Sequence, residues 1–565
     1  MQKMKKTNII ILILALMFGT VSCDFLTEQS LTEVESKDYI TNAKEAESVL
    51  LGVYRTLIED AAYGMNLSFF LNMGTDISQV EGSTTENWRN VPTNAFPTTQ
   101  SHIQETWQVL YKGVYRANDF LERISVNMDS FTEEDYMNSV IYIAEARCLR
   151  AMFYFELVRR WNNIPLMTST AMSYEHPSTL LQADPRAVYE FIEKDLLYAI
   201  EVLPYAADDI YRSDSRYRFS KGSAMGLLAK VYCTWAGWPV QDTDKWQAAA
   251  DIAGSLIKSG KHDLLPDYEQ LWKNTCNGIW DPTESLIEIS FYSPTAGSGS
   301  SDPCGRIGKW NGVRTTALAG VRGSCAANQY ALLTFTTEWK EHPGDLRMNL
   351  SVANYKYSND KVLICKGSSD TEETALANDA NPLKKQKEKQ TYTPAKWDEQ
   401  KYVEASNRLI NNDKSNINWY FLRYSDVLLL YAEALNEVYG GPTTEAYSAI
   451  NKVRRRGYGN PDDTSVCDLS GLDYESFREA VRKERAYELA FEGHRRTDLV
   501  RWGIYYETIQ KTDNELRALW NWSENNTSYN YVVAKYTVKD KSELLPIPQR
   551  EKDLCKQFKQ NPGWE

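Results

Sequence analysis

Apolar residues recur at helical spacing over segment after segment of this chain, and that recurrence limits what it can fold into. Between Thr41 and Leu57 the positions Ala46, Val49, Leu50, Val53, Tyr54 and Leu57 fall three and four apart, one face of a helix. Similar stripes run through 101–124, 134–161, 184–203, 220–236, 244–259, 418–438, 442–457 and 473–492. Short turn segments such as "AGWPVQDTD" (236–244) and "YGGP" (439–442) join neighbours. The helices therefore read as pairs tiled along the chain, each burying its apolar face on the next. The expected fold is mostly α: a tetratricopeptide-like helix-pair scaffold with long loop insertions and a few short strands.

Two tracts break the array. Residues 60–100 and 262–417 are rich in Gly, Ser, Asn, Asp and Pro, and only short strand-like runs such as "SLIEISFY" (285–292) interrupt them. Long irregular tracts inside a helical protein are where binding residues concentrate. Within the second, "GSSDTEETALANDANPLKKQKEKQ" (367–390) reads as a solvated loop.

The chain begins "MQKMKKTNIIILILALMFGTVSCDFLTEQS", a basic start, an apolar run from Ile9 to Phe18, small residues and then Cys23. The run falls short of the roughly 20 apolar residues that span a bilayer. It reads as a secretion signal of lipoprotein type, with Cys23 the lipidated first residue of the mature chain. Acyl burial of ~0.8 kcal/mol per CH₂ would then hold the protein to a membrane. The expected organisation is a signal peptide at 1–22, a lipidated tether at 23–40 and a single domain at 41–565. In that domain, 41–59, 101–261 and 418–565 form the helical scaffold, and 60–100 and 262–417 are ligand-loop insertions.

Net charge is −13, and removing residues 1–22, which carry three lysines and no acid, takes it to −16. Like-charge repulsion disfavours a nucleic-acid partner. Beyond Cys23, the cysteines at 148, 233, 276, 304, 325, 365, 467 and 555 form no CxxC pair or zinc-like spacing, so packed thiols are expected.

The densest chemistry lies in "ELAFEGHRRTDLVRWG" (488–503) and the helix before it. Helical spacing puts Phe477, Val481, Glu484, Glu488 and Phe491 on one face, so two carboxylates sit four apart on an apolar stripe. As an acid and base pair they would make the chain a glycoside hydrolase. The structural alternative, which the apolar setting favours, pairs them with arginines such as Arg423, Arg495 or Arg496 to lock helix to helix. His494 follows Gly493, a helix stop, and reads as a packed, hydrogen-bonded residue. His102, His176, His262 and His342 are scattered and no HExxH spacing occurs, so no metal site is assigned. "GSGSSDPCGRIG" (297–308) lacks the Lys-Ser/Thr of a phosphate loop, no GxSxG elbow exists, and no cofactor is expected.

Recognition is expected in the loops instead. A sugar ring packs its C–H face on an aromatic plane while neighbouring side chains bond its hydroxyls. Trp88 in "TTENWRNVPTN" lies among Asn87, Arg89 and Asn90, and Trp310 in "GRIGKWNGVR" and Tyr292 in "EISFYSP" are the candidates from the second insertion. Asp76 in "MGTDIS" either shapes the site or caps a turn, whereas Trp272 and Trp280 are assigned to the core. Two platforms burying ~100 Å² each, at ~25 cal/mol per Å², and a few hydrogen bonds less ordering costs, correspond to a dissociation constant of about micromolar to millimolar.

Several ordered stretches carry a resemblance. "AEARCLRAMFYFELVRRWNNIPLMT" (144–168), "KGSAMGLLAKVYCTWAG" (221–237), "DKWQAAADIAGSLIKSGKHDLLPDYEQLW" (244–272), "FLRYSDVLLLYAEALNE" (421–437), "AINKVRRRGYG" (449–459), the 488–503 stretch and "LLPIPQREKDLCKQFKQNPGWE" (544–565) resemble the SusD/RagB family of nutrient-binding outer-membrane lipoproteins. The likeness runs from "CDFLTE" (23–28) to the last residue in the family's order. Arg496 and Thr497 stand where the family often has Trp-Phe. The resemblance implies a one-domain α fold and an outward-facing lipid anchor in the outer membrane. It also implies a SusC-like TonB-dependent transporter as partner and the capture of a glycan fragment, or in some relatives a peptide, for that transporter. Catalysis is not part of the family's activity. Besides the hydrolase reading, the remaining alternative is a ligand-free protein-interaction scaffold.

Overall fold

The computed structural model describes residues 40–81, 87–209, 216–293, 304–359, 361–364, 392–464, 467–519 and 531–565. Cys23, the leader, Cys365 and the 367–390 tract lie outside the described residues.

The periodic segments fold as helices α1 (Ala43–Tyr54), α2 (Ser101–Asn127), α3 (Glu133–Trp161), α4 (Pro185–Val202), α5 (Lys221–Ala236) and α6 (Lys245–Lys258). Local chemistry sets their starts. Asn42 caps α1, Thr132 caps α3, Asp184 precedes Pro185 at the first position of α4, and Ser220 forms a capping box with Ser223 on α5. Consecutive helices pack on one another from α2 to α6. Every residue of α3 from Cys148 to Val158 is buried, so this helix is the centre of the array rather than a wall of it.

After the second insertion the array resumes with α9 (Tyr424–Tyr439), α10 (Thr444–Gly457), α11 (Tyr474–Glu488), α12 (Arg495–Arg501) and α13 (Tyr505–Leu519). Helix α9 packs directly on α6, so the intervening residues are looped out of a continuous stack. Those residues are not helix-free as their composition suggests: α7 (Tyr268–Cys276) and α8 (Leu333–Trp339) lie among them, and Trp272 is fully buried.

Two boundaries differ from the periodicity. Residues 418–423 do not continue α9 backwards. Trp419–Arg423 is a strand, antiparallel to Ser285–Ile289 with Ser285 opposite Arg423 and Ile289 opposite Trp419. Every residue of both strands is buried, and a continuous apolar run satisfies helix and strand spacing alike. Helix α11 ends at Glu488, not 492: Phe491 takes φ +66 and Gly493 φ +83, so Phe491 leaves the face shared by Phe477, Val481, Glu484 and Glu488. A second short antiparallel pair, Ser78–Val80 with Gln329–Ala331, ties the first insertion to the second. Among the described residues, Cys148, Cys233, Cys276, Cys304, Cys325, Cys467 and Cys555 are buried.

Candidate functional site

The first insertion opens with two wide helical turns, Asp60–Gly64 and Asn66–Phe70, which seat Phe69 and Phe70 in the core. These rings form a floor. Phe70 stacks on Trp88 at 5.3 Å and 21°, and meets Trp310 edge-on at 5.9 Å. Phe69 meets Trp310 at 5.9 Å and 78°. Trp88 and Trp310, one from each insertion, then contact each other at 5.4 Å and 73°, the edge-to-face geometry that aromatic quadrupoles favour. Both indoles are half-buried.

Polar groups hold each indole in place. Trp88 lies on a short 3₁₀ turn, Asn87–Asn90, with the Arg89 guanidinium 4.4 Å from its ring centre and Arg89 Nε donating to the Glu81 carbonyl at 2.6 Å. Trp310 Nε1 donates to Asp413 Oδ1 at 2.7 Å, and Arg306 pairs with Asp413 and, at 2.8 Å, with Asp60. The approach to Trp310 needs a glycine: Gly308 has φ +80, and a Cβ there would fall 2.6 Å from Ile417 Cδ1.

The remaining candidates lie around this pair or apart from it. Asn87 Nδ2 donates to Ser101 Oγ at 3.2 Å, and the Asn90 carbonyl accepts from the Ala95 N–H at 3.0 Å. Tyr292 is 74% exposed, beyond the end of the Ser285–Ile289 strand. It makes no ring contact with the pair among the described residues, but its neighbours Phe291 and Ser293 are fastened to Asn418 and Asn416, close to Asp413 in sequence. Asp76 is not beside the rings: Arg495 grips its carboxylate at 2.6 and 2.9 Å, and it lines a separate 540 Å³ groove with Phe335, Lys483 and Tyr487. Composition did not single out Phe69, Phe70 or Asp413. The "FF" pair inside a polar tract was the available signal for the first two.

The charged stretch is built differently. Glu488 accepts from Arg456 at 2.6 Å, Arg423 at 2.9 Å and Arg347 at 3.1 Å; Glu484 accepts from Arg347 at 2.6 Å and Arg454 at 2.9 Å. Arg423 also reaches Glu284 at 2.7 Å and Glu492 at 2.8 Å, and Lys396 reaches Glu492 at 2.7 Å. Glu484 and Glu488 are 1% and 0% exposed, which leaves a substrate no access to either. Burial pushes the Glu488 carboxyl up, but Arg456, Arg423 and Arg347 outweigh it and hold the group well below the usual range. Of the arginines expected to pair with these carboxylates only Arg423 does so: Arg495 goes to Asp76, and Arg496 to Tyr505 and Asn94. His494 is buried against Lys230 at 2.8 Å, and burial together with Lys230 lowers its imidazole to about 3. Glu284, Arg347 and Lys396 come from the second insertion, and Glu484, Glu488 and Arg456 from the array. The lattice therefore rivets the segment that carries Trp310 to the scaffold.

Comparison with known proteins agrees across the chain. The model of the SusD family matches residues 290–564, and a second, described as starch-binding and associating with the outer membrane, matches residues 24–233. A SusD homologue of Bacteroides thetaiotaomicron of known crystal structure is 65% identical, over 94% of this chain and 99% of that one, with a TM-score of 0.91. SusD-like protein P25 of Formosa agariphila is 28% identical over 97% of each chain. A laminarin-binding SusD-like protein of known structure is 25% identical over 93% of this chain and 100% of that one, with a TM-score of 0.65.

Proposed function

The chain belongs to the SusD family, and from that premise we propose that it is a surface-exposed lipoprotein, anchored in the outer membrane through Cys23. It captures an oligosaccharide and delivers it to a SusC-like TonB-dependent transporter. The observation that carries the binding role is the Trp88–Trp310 pair: two indoles from separate insertions, set edge to face on a phenylalanine floor and each held by a polar clamp. A rigid aromatic wedge loses little entropy on binding and offers a sugar its apolar face. Asn87, Arg89 and Asn90 are the nearby groups for hydroxyls, and Tyr292 extends the surface at its edge. Binding rather than catalysis is the role, because Glu484 and Glu488, the candidate acid and base, are saturated by arginines inside the fold.

The test is calorimetry on protein starting at Asp24 against a panel of neutral oligosaccharides, with fragments of laminarin first because a relative binds laminarin, and peptides beside them. One glycan class is expected to bind at about micromolar to millimolar affinity. Trp88→Ala and Trp310→Ala should each weaken it by about tenfold or more while the protein stays folded. Affinity untouched by both substitutions would remove the platform from this reading. Peptides binding in place of every glycan would change the ligand, and failure of the lipidated protein to co-purify with a transporter would remove delivery.

A further inference from the structure

A second concave site lies on the helical array, distinct from the Trp88–Trp310 pair. The turn after α5 folds back on α12: the Trp238 N–H donates to the Arg501 carbonyl at 2.7 Å, and Gly237 permits this approach, since a Cβ there would sit 2.4 Å from the same oxygen. Between this turn, α6, α9, α11 and α12 is a 230 Å³ hollow whose walls include Trp238, Trp246 and Trp502. That volume is below the roughly 300–1,000 Å³ of sites for drug-sized ligands, so it admits one small ring rather than a chain.

The three indoles are not equivalent. Trp502 is committed: its Nε1 donates to Glu433 Oε1 at 2.7 Å, and the guanidiniums of Arg501, Arg482 and Arg495 lie 5.0, 5.2 and 5.7 Å from its ring centre. Trp238 and Trp246 are half-buried, and among the described residues neither indole has an aromatic, cationic or hydrogen-bonding partner. Two apolar planes with free N–H groups therefore face a polar wall.

That wall is neutralised. Arg501 grips Glu433 at 2.6 and 2.7 Å, Arg478 grips Glu437 at 2.8 and 2.9 Å, and Arg482 pairs with Glu479 at 2.5 Å. An ionic ligand would compete with these pairs, whereas a neutral hydroxyl finds acceptors left over. Among the described residues, Glu433 Oε2 and Glu437 Oε1 each accept one hydrogen bond, from Arg501 and Arg478 respectively, and a carboxylate oxygen can accept two. Exposed Gln241 and Thr243 complete the rim.

We infer that this hollow is a second binding site, for a single neutral sugar ring packed on Trp238 and Trp246 with hydroxyls directed at Glu433 and Glu437. It binds independently of the Trp88–Trp310 site and does not rest on the identity of the ligand there.

The test is ¹⁹F NMR of the chain from Asp24 labelled with 5-fluorotryptophan, the Trp238 and Trp246 signals being assigned by Trp238→Phe and Trp246→Phe. The probes are the methyl glycosides of glucose, galactose and mannose, with glucuronate and glucosamine as charged comparisons. Saturable shifts of both signals with at least one neutral glycoside are expected, unchanged in Trp88→Ala. They should weaken by about tenfold or more in Thr243→Phe, which fills the hollow from an exposed rim position without touching the core. Absence of saturable shifts with every neutral glycoside overturns the site. A charged sugar binding more tightly than its neutral counterpart overturns the ligand class, and loss of the shifts in Trp88→Ala overturns independence. Because Trp88→Ala reads the first site separately, failure here leaves the function proposed above standing.

Discussion

The arginine–glutamate lattice around Glu488 and the aromatic pair at Trp88 and Trp310 solve opposite problems. In the lattice, Arg347, Arg423, Glu284, Glu484 and Glu488 are each at most 1% exposed, and every one has at least two charged partners. In the aromatic pair the indoles are half-buried, and the groups that orient them, Arg89, Arg306 and Asp413, remain partly in solvent. The difference teaches where to look for chemistry in such a chain. A dense cluster of titratable groups signals function only when something can reach it. When it is sealed and mutually neutralised, it is a fastening, here one that holds the loop bearing Trp310 against the helices.

The sharpest way to break this comparison is to remove one rivet. Arg423→Met removes a buried cation that Glu284, Glu488 and Glu492 all share, so a loss of about 3–5 kcal/mol is expected, read as a lower denaturant midpoint. A midpoint equal to that of the native chain would mean that the lattice adds no strength to the fold.

A somewhat smaller effect is expected at Glu288, on the strand that joins the second insertion to Arg423. It is buried, accepts from Ser285 and Asn418 at 2.8 Å each, and forms no ion pair among the described residues. Burial, opposed by the Asn418 and Ser285 hydrogen bonds, raises its carboxyl to about 7. Because the folded value exceeds the ordinary value of 4.5, the folded state holds the proton more tightly. Its stabilisation is therefore complete below about pH 4.5 and is lost as pH rises through 7. Glu288→Gln should flatten that slope and leave the chain more stable at pH 8 by on the order of 3 kcal/mol, measured as urea midpoints from pH 5 to 8. Parallel pH profiles would contradict this. His494 works in the other direction and at lower pH: burial and Lys230 hold it neutral to about 3, so its contribution is present above 6.5 and lost as pH falls through 3.

The two regions also differ in how far they are legible from sequence. The helices are plain because burying one face imposes a spacing that the stripes display. The strand Trp419–Arg423 is not, because side chains buried on both faces leave no alternation to read. Trp88 and Trp310 stand out as large rings among polar neighbours, a pattern that a core tryptophan such as Trp272 also shows in part. Phe69 and Phe70 are marked only as an adjacent apolar pair, and nothing local says that they lie beneath the indoles. Asp413 bonds Trp310 across a hundred residues of chain, a pairing that only the tertiary path sets. The same holds for the partners of Glu484 and Glu488: helical spacing puts the carboxylates on one face, but which arginines arrive is decided by how the insertion folds back.

Asp413 gives the finest test, because it separates charge from orientation. It lies at the surface, its side chain 45% exposed against 16% for Arg306, so the ion pair between them is worth at most about 1 kcal/mol. Its bond to Trp310 Nε1 is what fixes the indole. Asp413→Asn keeps an oxygen for that bond and removes only the charge, so glycan affinity should stay within about twofold. Asp413→Ala removes the acceptor and frees the ring to turn, so affinity should fall by about threefold to tenfold, with the folding midpoint nearly unchanged. Calorimetry on both variants decides between them. If Asp413→Asn weakened binding as much as Asp413→Ala, charge would govern the aromatic site as it governs the lattice, and the contrast between the two regions would collapse.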